Sequence, residues 1–208
     1  YAVRYAMSYS EPFIADALEE FEKEGVEDLT IIPLYPQYST TTIHLVKDFA
    51  DFPPYIKALA KKIQAGIDKY RPDGIVFSYH GIPKSYEKKG APYAERCRLT
   101  TYSLVNQLSL DGEKGIPYFQ SYQSQFGPNE WLKPATADLL PTLPGKGIKK
   151  VLVAAPSFGS DCLETIDELG RENRDYFLKA GGTDYHLVDC LNDDPDWIEA
   201  LAKLTTRK

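Results

Sequence analysis

Along this chain, short runs of apolar and β-branched residues alternate with longer stretches in which apolar positions recur every three or four residues. The short runs predict strands over Ala2–Met7, Leu29–Leu34, His44–Asp48, Gly74–Tyr79, Pro117–Ser121, Lys150–Ala155 and Tyr185–Val188. The longer stretches predict amphipathic helices between them. Phe13, Ile14, Ala17, Leu18 and Phe21 share one helical face, as do Ile56, Leu59, Ala60, Ile63 and Ile67, with Lys and Glu at the intervening positions. Both faces read as core. Strands that alternate with helices predict an α/β class in which parallel sheets are covered by helices on both sides.

The stretch Lys69–Gly74 is polar and holds a proline and a glycine, so a domain boundary is placed there, giving 1–72 and 73–208. A last helix at about 195–206 is expected to pack back on the first domain. The chain opens on a strand pattern with no preceding turn or cap, which predicts that earlier βα units are missing. Thr42 and His44 are nearly adjacent, although parallel neighbours need a crossover of about a dozen residues, so a crossover segment is expected to be absent as well.

Composition narrows the function classes. The 208 residues are 43% hydrophobic and 12% aromatic, enough for a real core. Lys and Arg number 24 against 30 Asp and Glu, a net charge of −6, and no basic cluster stands out, which argues against nucleic acid as a partner. No apolar run approaches the roughly 20 residues of a transmembrane helix. Cys97, Cys162 and Cys190 are odd in number and widely spaced, which suggests neither a disulfide framework nor an iron–sulfur cluster. A reducing, cytoplasmic setting is the expectation.

Two tracts carry chemistry. SYHGIPKSY at 78–86 places His80 where a predicted strand meets a Gly-Pro loop, the edge at which open α/β sheets bind ligands. A single histidine is commonly an ordinary surface or core imidazole; His44 lies within a predicted strand and His186 near the end of another, and neither has the Gly-Pro loop that sets His80 apart. SFGSDCLETIDELGRENRDYF at 157–177 predicts a helix started by Ser160 or Asp161. On an α-helix Glu164, Glu168 and Glu172 drift by only about 40° per step, with Asp161 on the same side. One acidic stripe is expected, with Leu163, Ile166, Leu169 and Phe177 packing on the other side. A solvated acidic surface, paired with Arg171 and Arg174, is the plainer account of the same pattern.

These tracts resemble the ferrochelatases. The resemblance extends to IIPLYPQYSTTT at 31–42, FQSYQSQFGPNEWLKP at 119–134 and LNDDPDWIEAL at 191–201, so it spans nearly the whole chain in family order. It implies two Rossmann-like, chelatase-type domains and insertion of Fe2+ into protoporphyrin IX, with release of two protons, in heme biosynthesis. Porphyrin and ferrous iron are then the substrates, and iron is not a resident cofactor. The resemblance assigns His80 and Glu164 to metal handling and proton abstraction across the porphyrin. Asp161, Glu168 and Glu172 match or adjoin an acidic row that relays metal or protons. Tyr35, Trp131 and Phe158 match or adjoin aromatic positions near the ring. The chain departs from the usual pattern at Ala91, Gln125, Ser157 and Cys162, where the family commonly shows Asp, Arg, Gly and, in some members, a second His. A coproporphyrin or sirohydrochlorin-type chelatase and a non-catalytic porphyrin- or metal-binding fragment are the alternatives. Peripheral membrane contact and oligomeric state stay open.

The chemistry fits these groups. Metallation removes two pyrrole protons and strips water from Fe2+. An imidazole, with an ordinary pKa of about 6.5, serves as base or as iron ligand, and a facing carboxylate balances the charge of the entering dication.

Overall fold

The computed structural model describes residues 2–7, 10–26, 29–32, 48–111 and 115–205. It divides into two compact units, Tyr1–Ile31 and Ile32–Lys208.

In the first unit, helix α1 (Ile14–Lys23) forms where the amphipathic pattern predicts it. Its apolar face is not core: Phe13, Ile14 and Leu18 are each 42% exposed, and no residue of α1 is buried. So short a unit offers too little apolar surface to cover the stripe. The strand expected over Ala2–Met7 is not formed, because a strand requires a paired neighbour and among the described residues the segment has a single bridge, Met7 to Phe13.

The second unit is built on one four-stranded parallel sheet. Helix α2 (Pro53–Tyr70) leads into β1 (Gly74–His80), followed by α3 (Lys84–Lys88), α4 (Tyr93–Gln107) and β2 (Tyr118–Gln123). Helix α5 (Thr136–Leu139) and two short 3-10 turns precede β3 (Lys150–Ala154). A π-helix (Glu164–Asn173), α6 (Arg174–Lys179), β4 (Asp184–Leu187) and α7 (Pro195–Thr205) complete it. The strand order is β2-β1-β3-β4. A second sheet is not seen among the described residues. The strands expected at Leu29–Leu34 and His44–Asp48 lie mostly outside them, and the described residues 29–32 are not strand.

Alternation along β1 sorts its side chains between two cores. Ile75, Phe77 and Tyr79 pack with Ile56, Leu59 and Ile63 of α2, Cys97 and Leu104 of α4, and Trp197 and Leu204 of α7. Val76 faces the other layer, with Val151, Val153, Leu140, Leu143, Leu169 and Phe177. The connecting helices change face where the strand order reverses, as right-handed crossovers require. Helix α2 approaches β3 closely at Gly66, where an added Cβ would lie 3.1 Å from Leu152. It thus joins the same compact unit as the sheet although it precedes position 72, and α7 packs against it. Among the described residues no helix is long and apolar enough to cross a membrane.

Candidate active site

From β1 the chain runs on toward β2, and from β3 toward β4, so the strand order reverses between their carboxyl ends, the position at which open α/β sheets form their ligand crevice. His80 is the last residue of β1. Period-2 alternation puts it on the face of Val76 and Ser78, the side that carries the π-helix layer. Its ring lies 6.1 Å from that of Phe158, tilted by 49°. The main chain is held on both sides: His80 N–H donates to Ser157 Oγ at 2.8 Å, and the Tyr93 hydroxyl donates to His80 O at 2.8 Å. Burial pushes the Tyr93 hydroxyl well up, so it remains a donor.

The tautomer follows from one contact. His80 Nδ1 lies 2.7 Å from Gly81 O, and a carbonyl only accepts. Nδ1 therefore carries the proton, and in the neutral ring the Nε2 lone pair is free to take a proton or bind a metal, with the second nitrogen anchored as in metal-binding histidines.

Gly81 is required by a close approach. Its N–H donates to Gln123 O at 2.7 Å, and a Cβ there would stand 2.6 Å from that same oxygen. Because the obstacle is backbone, Gly81→Ala must force the ends of β1 and β2 apart. The expected result is a loss of about 1–3 kcal/mol, read from the urea midpoint.

The carboxylates lie on and before the π-helix. Its i→i+5 bonding widens the turn relative to an α-helix, so the expected α-helix is corrected, and with it the packing side. Leu169 and Phe177 are buried as expected, but Leu163 and Ile166 are 75% and 65% exposed. The wider turn rotates Ile166 away from the core that α-periodicity assigned it, and Leu163 precedes the π-helix.

The four acidic residues occupy four different settings. Asp161 does not cap a helix N–H. It accepts from Asn192 Nδ2 at 2.6 Å, from Cys190 N–H at 3.2 Å and from the Thr165 hydroxyl at 3.3 Å. Burial pushes its carboxyl up, but these donors together outweigh burial and hold it below the ordinary carboxylate range. Glu168 accepts from Ser124 N–H at 2.7 Å and from the Ser124 hydroxyl at 2.9 Å, which fastens the helix to the end of β2. Glu172 is exposed and accepts the Tyr176 hydroxyl at 2.7 Å. Glu164 is half-buried beside Cys162, whose thiol is pushed up by burial and then by its hydrogen bond to Glu164. Among the described residues no group of three or more His, Cys, Asp and Glu is arranged to hold a metal.

Phe158 is buried against His80. Trp131 is buried beside the 76% exposed Phe126, ring centroids 5.3 Å apart, and its Nε1 has no hydrogen-bond partner among the described residues. Tyr35 lies outside the described residues. Sequence reasoning did not single out Gln123, Ser124, Tyr93 or Asn192. The FQSYQSQFG tract pointed to the first two only as a neighbourhood, and nothing in local spacing marks the other two.

A model of the ferrochelatase family matches residues 1–46 and 41–208. The coproporphyrin III ferrochelatase of Enterococcus faecalis is 45% identical over 96% of this chain and 68% of its own length. The ferrochelatase of Alcanivorax borkumensis is 40% identical over 97% of this chain and 64% of its own length. That of Vibrio cholerae is 40% identical over 97% and 69%. The chain thus spans roughly two thirds of the length of these relatives. Among solved structures, SirB from Bacillus subtilis with Fe3+ superposes with a TM-score of 0.56 at 14% identity, covering 95% of this chain and 77% of SirB, a likeness of fold. Family match and identity agree: this chain belongs to the ferrochelatases, the enzymes that insert metal into porphyrin.

Proposed function

We propose that this chain inserts Fe2+ into protoporphyrin IX to give protoheme, acting in the cytoplasm, with His80 and Glu164 at the reacting centre. The observation that carries the reading is the His80 tautomer: Nδ1–H is spent on Gly81 O, so a basic Nε2 stands at the crevice where the strand order reverses. In this reading the four-stranded sheet belongs to one of two chelatase-type domains, and residues ahead of α2 belong to the remainder of the other.

The balance is simple: Fe2+ and the free porphyrin give the metalloporphyrin and two protons. His80 Nε2 accepts a pyrrole proton as the nitrogen lone pair turns to the metal. The Glu164 carboxylate compensates the dication while it sheds water. Glu172, exposed at the outer end of the row, exchanges metal or protons with solvent, with Glu168 between it and Glu164 and Asp161 at the row's other end, both also anchoring the helix. Phe158, beside His80, and Trp131 flank the ring.

Coproporphyrin III is the second reading of the substrate, favoured by the name of the Enterococcus faecalis relative. The test is an optical titration of the chain with protoporphyrin IX and, separately, coproporphyrin III, followed by Fe2+ under reducing conditions. Faster metallation of protoporphyrin supports the first reading and faster metallation of coproporphyrin the second. Binding without metallation marks a porphyrin-binding module, and no binding to either ring overturns both.

A further inference from the structure

We propose that Gln123 is a positioning residue that holds His80 and Glu164 in a fixed relation, an inference that rests on assigning those two to metallation. Gln123 ends β2 and is 2% exposed. Its main-chain oxygen accepts Gly81 N–H at 2.7 Å, which fixes the residue next to His80. Its side-chain Nε2 donates to Glu164 O at 2.9 Å, which fixes the first turn of the π-helix. One residue thereby references both members of the pair.

The amide orientation is determined by chemistry. Glu164 O is a carbonyl and only accepts, so the amide nitrogen faces it and Oε1 faces Ser78. The Ser78 hydroxyl then donates to Gln123 Oε1 at 2.9 Å. With its proton committed, Ser78 accepts from Thr136 Oγ1 at 2.7 Å, and Thr136 in turn accepts from Ser121 Oγ at 2.9 Å. A chain of hydrogen bonds thus runs in one direction, Ser121 to Thr136 to Ser78 to Gln123 to Glu164. Ser78, Ser121 and Thr136 are fully buried. Such a chain strengthens cooperatively in a low-dielectric interior, and each member left unpaired is costly.

The π-helix needs such a brace. Wide-turn segments are rare and are found mostly at functional sites, so contacts from outside must hold the turn. Ser124 supplies a second brace one turn further on, through Glu168. Of the two, only the Gln123 contact falls on Glu164 itself. An apolar side chain in its place would fill the same space without fixing where that residue stands.

The test compares the full chain with Gln123→Met, which keeps nearly the same volume and removes both side-chain bonds. The expected result is a fall in kcat of about tenfold, with KM for porphyrin within about twofold, and faster amide exchange across 164–173. Unchanged kcat, a loss confined to KM, or unchanged exchange overturns the proposal. Should that variant fail to fold, Ser78→Ala leaves Gln123 in place without its donor and is expected to lower kcat about threefold, whereas a wild-type kcat overturns the proposal. Absence of metallation by the wild-type chain refutes the assigned reaction instead, and the exchange measurement still decides whether Gln123 holds the turn.

Discussion

Replacing His80 with alanine is expected to slow porphyrin metallation by about 10²–10⁴-fold, the range of a lost general base, while the protein stays folded. Both halves of that expectation come from the same contacts. The ring's hydrogen bond is local, from Nδ1 to the next carbonyl, and its aromatic neighbour is Phe158. The bonds that tie the end of β1 to its surroundings use main-chain atoms, His80 N–H to Ser157 and His80 O from Tyr93, and alanine keeps both. Circular dichroism and the thermal midpoint should therefore change little. A sharper variant is His80→Asn, whose amide can still donate to Gly81 O but offers no basic nitrogen at the Nε2 position. It should be as inactive as alanine if Nε2 does the chemistry, and substantially active if the side chain only shapes the loop. Initial rates of Zn2+ or Fe2+ insertion, followed by porphyrin fluorescence, separate these outcomes. Near-normal insertion by both variants would remove His80 from the reaction.

The sheet and the strand-end place of His80 were legible in the sequence, and the form and setting of the acidic helix were hidden for identifiable reasons. The two central strands, β1 and β3, were readable because strands buried on both faces appear as nearly unbroken apolar runs bounded by Pro, Gly or Asp, and the edge strands β2 and β4 by their aromatic and β-forming residues beside Pro or Gly. The place of His80 at a strand end followed from that. The form of the acidic helix did not, because carboxylates spaced by four residues stay on one side of an α-helix and of a wider turn alike. Ile166 is where the two geometries part, and there the α reading placed an exposed side chain in the core. Gln123 was invisible for another reason. A polar residue closing a strand reads as solvent-facing, and its burial depends on Glu164 and Ser78, 41 and 45 positions away in sequence. The apolar face of α1 shows the converse limit: periodicity located the helix, but whether a stripe is covered depends on partners that local sequence does not specify.

Glu164→Gln is expected to lower turnover by about 10²–10³-fold, and Glu172→Gln by no more than about threefold. The two residues stand eight positions apart on the same helix and carry the same charge, so the contrast isolates setting from chemistry. Glu164 is half-buried in the first turn, beside Cys162, with its carbonyl held by Gln123. A half-buried carboxylate in contact with a partly dehydrated dication is screened less than an exposed one. Glu172 is exposed, accepts the Tyr176 hydroxyl, and is screened by water and salt. Ionic strength supplies an independent check. The small Glu172 effect should vanish in molar salt, whereas the Glu164 effect should persist, because a Debye length of about 3 Å still does not screen a half-buried carboxylate from an ion in direct contact with it. If both substitutions cost the same and both costs fade with salt, the row acts as a diffuse negative field that concentrates metal ions, and Glu164 holds no special place in it. If only Glu164 matters, the row works by position, and the contacts that set its position, Gln123 first among them, become part of how the enzyme works.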